Sequence, residues 1–179
     1  MNATTSSVIS DSNSYSFDIV IDDYLQSPRE ENCNITTMIC WHSRYNLGDK
    51  QMSNPLSEEE VMEMYADIVA IKPIYLYDHG GITINTGGFS CPWDSGMVGW
   101  AFITKSSLSD MGLISQADDL DKMNLIIENE IKEYDSYLRG EIYAYLVKDA
   151  RGNVVECCGG FYSKSDAEEH ANEAIKLFY

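Results

Sequence analysis

The chain has 179 residues, 44% of them hydrophobic and 23% charged, which suits a globular fold and excludes the disordered and fibrous classes. Twenty-nine Asp and Glu against twelve Lys and Arg leave a formal charge of −17, a field that disfavours direct binding of DNA or RNA and favours a basic partner. The cysteines Cys33, Cys40, Cys91, Cys157 and Cys158 are odd in number and lack CxxC spacing, which argues against a disulfide framework or a four-ligand zinc site. No apolar run approaches the ~20 residues that span a bilayer, and the polar start has no signal-peptide pattern, so a cytoplasmic protein away from membranes is expected.

Met1 to Ser16 is rich in Ser, Thr and Asn and reads as a mobile tail over 1–16, with a single domain over 17–179. FDIVIDDYL, from Phe17, alternates loosely between apolar and acidic positions and reads as an edge strand, with Asp18, Asp22 and Asp23 toward water. Ser27-Pro28 ends it. Ile35 to His42 is a short, mostly apolar run that suits a strand covered on both faces. In the turn that follows, Gly48 can take a left-handed conformation, and Arg44 and Asp49 are available to pair. Ser57-Glu58-Glu59-Glu60 is a capping box, and Val61, Met64, Tyr65 and Ile68 form one apolar stripe, so a helix is expected from Glu58 until Pro73 stops it.

Ile74 to Lys105 reads as a three-stranded meander, Tyr75 to Tyr77, Ile82 to Asn85 and Val98 to Thr104, with glycine-rich connections. After a connector with one short helical turn, Leu120, Met123, Ile127, Ile131, Tyr134 and Leu138 mark a helix from Asp118 to Leu138. Glu141 to Lys148 and Val154 to Phe161 form a hairpin, and Ser165 with Glu168 caps a C-terminal helix. The predicted fold class is α+β: a mainly antiparallel sheet with about three helices on one face, in the order β-β-α-β-β-β-α-β-β-α.

His42, Asp78, His79 and Asp94, with Asp49, are polar groups at strand ends and in central loops that local structure does not require. Converged, they could hold a divalent metal that activates water, or act as general acid and base in phosphodiester cleavage. The plainer reading is that both histidines are partly buried and satisfied by backbone or a nearby Asp. No HExxH is present, and GGITINTGGF lacks the Lys-Ser or Lys-Thr of a phosphate loop, so no cofactor is expected. Cys91 lies in a loop where His79 could activate it, against the plainer reading of a packed, inert thiol. Trp93 could serve a binding surface. Asp118, Asp119, Asp121, Glu128, Glu130, Glu133 and Asp135 give the long helix a strongly negative face.

CWHSRYNLGDK, IYLYDHGGITINTGGFSCPWDSGMVGW and YLRGEIYAYLVKDARGNVVECCGGFY resemble blocks of an uncharacterised family of small proteins carried by bacterial phages, prophages and conjugative elements. The chain departs from that pattern at Gly81, where Ser is expected, and at Gly159, where Trp is expected. The resemblance brings no catalytic residues with it. It implies an accessory protein of a mobile element, some of which inhibit host immunity, including CRISPR nucleases. The expected function is to bind and block a host defence nuclease such as a CRISPR effector, with the acidic residues of the long helix and Trp93 engaging a basic nucleic-acid-binding region. The alternative is a small metal-dependent hydrolase or nuclease built on His42, Asp78, His79 and Asp94.

Overall fold

The computed structural model describes residues 4–7, 15–23, 26–31 and 33–178. It has an α+β fold with mainly antiparallel pairing, in two compact units: Met1–Gln26 with Ser136–Tyr179, and Ser27–Asp135. The sequence had pointed to one sheet and one domain over 17–179. Most of the tail expected over 1–16 lies outside the described residues, but Thr4–Ser7 form a strand.

The first unit holds β1 (Thr4–Ser7), β2 (Ser16–Ile21), β8 (Tyr143–Lys148) and β9 (Val154–Phe161), in the spatial order β1-β2-β8-β9, all antiparallel. Helix α5 (Lys164–Lys176) covers one face. Its small residues Ala167, Ala171 and Ala174, with Ile175, allow close approach to Phe17, Ile19, Tyr145 and Val147, all buried. The expected edge position of β2 is corrected: β2 lies inside the sheet, and Asp18 is held by Lys148 Nζ at 2.5 Å. The C-terminal helix is capped by Ser163, whose side chain accepts from Asp166 N–H, two residues earlier than the Ser165 cap expected.

The second unit runs α1 (Pro28–Glu31), β3 (Thr37–Cys40), β4 (Lys50–Gln51), α2 (Glu58–Met64), β5 (Ile68–Asp78), β6 (Ile82–Asn85), β7 (Ser95–Thr104), α3 (Lys105–Asp110), a 3-10 turn at Ile114–Gln116, and α4 (Leu120–Leu138), most of which belongs to this unit. Its sheet has the order β4-β3-β7-β5-β6, parallel only between β3 and β4. The capping box at Ser57 starts α2 as expected, and Val61 buries against Ile39 and Phe102 on one face. Lys72 and Ala101 are paired in register, so both point to the other face, where Lys72 Nζ meets Glu128 of α4 at 2.7 Å. Met123, Ile127, Ile131 and Tyr134 of α4 are buried, and each such side chain contributes roughly 1.5–3 kcal/mol on burial.

Two expectations change here. Helix α2 ends at Met64, and Ile68 and Pro73 belong to β5. Strand β6 covers only Tyr75 to Asp78, so at Pro73 the outer edge of β5 has no neighbouring strand and loses nothing by lacking an N–H. Pro28 likewise opens a helix rather than only ending a strand: it follows Ser27, whose Oγ accepts from Arg29 N–H at 3.2 Å. Gly99 is required by packing, since a Cβ there would collide with Ile39 O of β3.

Candidate functional site

Strand β3 leaves the sheet early. Its last pair with β7 is Cys40 with Gly99, followed by Trp41 N–H to Val98 O at 2.8 Å, whereas β5 stays paired with β7 as far as Tyr77 with Ser95. An open cleft of about 330 Å³ forms where β3 has departed. Leu76, Met97 and Val98 with Trp41 give it apolar walls, Gly96 lies along β7, and His42, Arg44, Asp78, Asp94 and Ser95 supply polar groups. Trp93 stands at the cleft 91% exposed.

Three of the four residues singled out for chemistry therefore line one cleft, and the fourth, His79, reaches it through Asp94, with Nδ1 to Oδ2 at 3.4 Å. Their bonds define what they can do. His42 Nδ1 accepts from the N–H groups of Arg44 at 3.3 Å and Tyr45 at 3.2 Å, and the ring stacks on Tyr45. In a neutral ring so held the proton sits on Nε2, which can donate but not accept. Asp78 accepts from Arg44 at 2.5 Å and from Tyr45 Oη at 3.1 Å, and that hydrogen bond raises the Tyr45 pKa. Cys91 Sγ lies 3.7 Å from Asp94 Oδ2, the same oxygen that His79 approaches, so a carboxylate and not the imidazole is the thiol's neighbour. Among the described residues no three His, Cys, Asp or Glu side chains converge as metal ligands. The arrangement can hold a ligand against an indole and offer it both donors and acceptors.

The acids of α4 divide by use. Asp118, Asp119, Asp121 and Glu128 are exposed. Asp119 Oδ1 caps the helix by accepting from Lys122 N–H at 3.1 Å, and Glu128 pairs with Lys72. Asp135 Oδ1 accepts from Thr83 Oγ1 at 2.6 Å and Ile84 N–H at 2.7 Å, which fastens α4 to β6. Glu133 is half-buried, and burial, with Glu130 nearby, raises its pKa.

Glu130 is consumed by a buried network that the sequence did not show. Arg29, its side chain 4% exposed, donates Nε and one Nη2 N–H to Asp49 at 2.8 and 2.6 Å, Nη1 to Glu130 and Asn34 at 2.8 and 2.9 Å, and its remaining Nη2 N–H to Thr36 O at 2.6 Å. Burial alone would lower the Arg29 pKa, but Asp49 and Glu130 outweigh it and the net shift is upward. Glu130 also accepts from Ile35 N–H at 2.8 Å, and Asp49 from Met38 N–H at 2.7 Å. Arg44 and Asp49, expected to pair, take other partners: Arg44 holds Asp78 and Asp49 holds Arg29. The only local signal for Arg29 was Ser27-Pro28, a helix cap followed by a helix-opening proline. The remaining thiols separate cleanly: Cys40 is buried, with its pKa pushed up to about 12 by burial and then by Asp49, while Cys33, Cys157 and Cys158 are exposed.

No helix among the described residues is long and apolar enough to cross a membrane. Comparison of the chain with protein-family models, with curated proteins and with solved structures finds no match.

Proposed function

We propose that this chain is a binding protein whose target is a basic, nucleic-acid-binding protein, and that the surface from Asp110 to Leu125 makes the contact. The observation that carries this is the composition of that surface. Exposed Asp110, Asp118, Asp119 and Asp121 alternate with exposed Met111, Ile114, Leu120 and Leu125, the last two 56% and 55% accessible. The only cation in the stretch is Lys122. Carboxylates steer a basic surface into place, and large apolar side chains among them supply the desolvated anchors that charge alone lacks. A host defence nuclease, such as a CRISPR effector blocked on behalf of a mobile element, is the partner that joins this surface to the family resemblance.

The test is capture of partners from host lysate at low and high salt, followed by competition with nucleic acid. A nucleic-acid-binding protein released by salt and by DNA or RNA is expected. D118K/D121K should weaken that capture roughly a hundredfold, a loss of about 2.7 kcal/mol, while E59K/E63K on α2, the same change in net charge elsewhere, should alter it little. Equal effects from the two variants would show general attraction and defeat the assignment. Glu130 is unsuited to such a test because its reversal would break the Arg29 network.

The placing of His42, Asp78 and Asp94 in one cleft, with His79 beside Asp94, supports a second reading, a small hydrolase or nuclease, although these groups do not form a metal-ligand cluster among the described residues. Alanine at His42 or His79 should then abolish cleavage of nucleic acid in magnesium or manganese while leaving the fold unchanged. Cleavage that survives both substitutions would end that reading.

A further inference from the structure

We propose that the cleft at the head of β7 binds a neutral polyhydroxylated ring, a saccharide unit, laid against the indole of Trp93 and over Gly96. The site is independent of the acidic surface, which follows the opposite end of β7. The cleft is lined by Ser95 to Val98 at the start of β7, and none of its lining residues belongs to Asp110–Leu125.

Gly96 is the first observation. It sits inside a strand, where glycine weakens the pairing, yet its φ is not positive, and a Cβ built on it would meet no atom within 4 Å. Gly99, three residues on, is required by the backbone of β3. No such neighbour demands Gly96, and the space it leaves open belongs to the cleft. A strand glycine marks a bulge or a close approach by a ligand or backbone; the β7 bulge falls at Val98, two residues on, and the open space over Gly96 leaves room for a ligand.

Trp93 is the second. An indole 91% exposed beside apolar Trp41, Leu76, Met97 and Val98 presents a flat face with no partner ring of its own in the cleft. Large exposed aromatics that also line a recess are binding anchors more than structural members.

The polar groups then select among guests. A phosphate or other anion would meet Asp78 and Asp94 within a chain of net charge −17. A cation would find Asp78 already held by Arg44 and Asp94 approached by His79. A purely apolar guest would strip water from Arg44, Asp78 and Asp94 and return no hydrogen bonds. A neutral ring bearing hydroxyls meets none of these objections. Its C–H face lies on Trp93, its hydroxyl oxygens accept from Arg44 and from His42 Nε2–H, and its hydroxyl protons go to Asp94 and Asp78. The fixed tautomer of His42, set by its two backbone bonds, keeps that donor in place.

The experiment is titration of the full-length, 15N-labelled chain with glucose, galactose, N-acetylglucosamine and their disaccharides, following the Trp93 indole and Gly96 amide resonances. Saturable shifts at both positions with at least one sugar are expected. W93A should weaken that binding roughly tenfold or more, the scale of one lost stacking contact. G96V fills the floor with a residue suited to a strand and should abolish binding at an unchanged melting temperature. Absence of saturable shifts with every sugar would overturn the proposal, as would binding that persists in G96V. The same shifts produced instead by arginine amide or by adenosine monophosphate would also overturn it.

Discussion

Arg29 donates all five of its guanidinium N–H bonds from a buried position, and two carboxylates depend on it for their charge balance. Removing Arg29 leaves Glu130 as a largely buried unpaired carboxylate and Asp49 as a partly solvated one, so the cost falls below the roughly 3–5 kcal/mol of a fully buried pair. R29M should still lower the urea midpoint. R29K should also lower it, because an ammonium cannot span the Asp49 fork, Glu130, Asn34 and Thr36 at once. Trp41, Trp93 and Trp100 all lie within Ser27–Asp135, so tryptophan fluorescence reports this unit alone. D121N, at an exposed position, is the control and should stay within about 0.5 kcal/mol of the parent. An R29M midpoint equal to that of D121N would mean the network carries no net stability. None of this was legible in the sequence, because the partners stand 20 and 101 residues from Arg29. His42, Asp78, His79 and Asp94 were legible for the opposite reason: they are polar residues at strand ends for which no local role could be found, and the sheet brings those ends together.

Helix α4 shows what periodicity carries and what it omits. The apolar spacing located the helix to within two residues of its observed start, and of its six expected stripe positions Met123, Ile127, Ile131 and Tyr134 are buried, while Leu120 in the first turn is exposed and Leu138 at the end is only partly covered. Periodicity says nothing about where a polar residue finds its partner, so seven acids that looked alike divide into free, capping, paired and buried groups. Strand β5 was underestimated because Ile68 continues the helical stripe of α2 and Pro73 resembles a stop, and only the short reach of β6 makes proline acceptable there. Glu133 tests the division of α4 directly. Its folded pKa is raised above the ordinary 4.5 by burial and by Glu130, so the ionised form is penalised in the folded state. The protonated form is favoured by folding, and that contribution is fully present below the unfolded pKa and lost as pH rises through the folded value. E133Q removes the penalty. It should raise the melting temperature at neutral pH, and its advantage should shrink as pH falls from the raised value and vanish below about 4.5. An advantage constant across that window would point to packing and not to ionisation.

At the scale of the chain, the second unit is an insertion within the first: Ser27–Asp135 interrupts the segments that supply β2 and β8. Those two strands pair across most of the sequence, with Asp18 and Lys148 separated by 130 residues. The β8–β9 hairpin was readable from turn residues and alternation, whereas β1 fell within the expected tail, and nothing in the β2 or β8 segment names the other, which is why a single sheet was expected. The same connectivity orders folding. Closing a loop costs entropy that grows with its length, and contacts of high sequence separation form late unless the intervening chain has already compacted. The inserted unit is one continuous segment whose longest strand pairing, Thr37 with Phe102, closes 65 residues against 132 for Ser16 with Lys148, so its sheet should form first and shorten the path between β2 and β8. Pulse-labelled hydrogen exchange during refolding can follow one amide for each event. Trp41 N–H bonds to Val98 O inside the inserted unit, and Asp22 N–H bonds to Ile142 O across the long-range seam. Protection at Trp41 should precede protection at Asp22, and R29M, which weakens only the inserted unit, should delay both. If R29M slows Trp41 while Asp22 gains protection at the parent rate, the first unit closes without help from the insertion, and the folding order argued from connectivity is wrong.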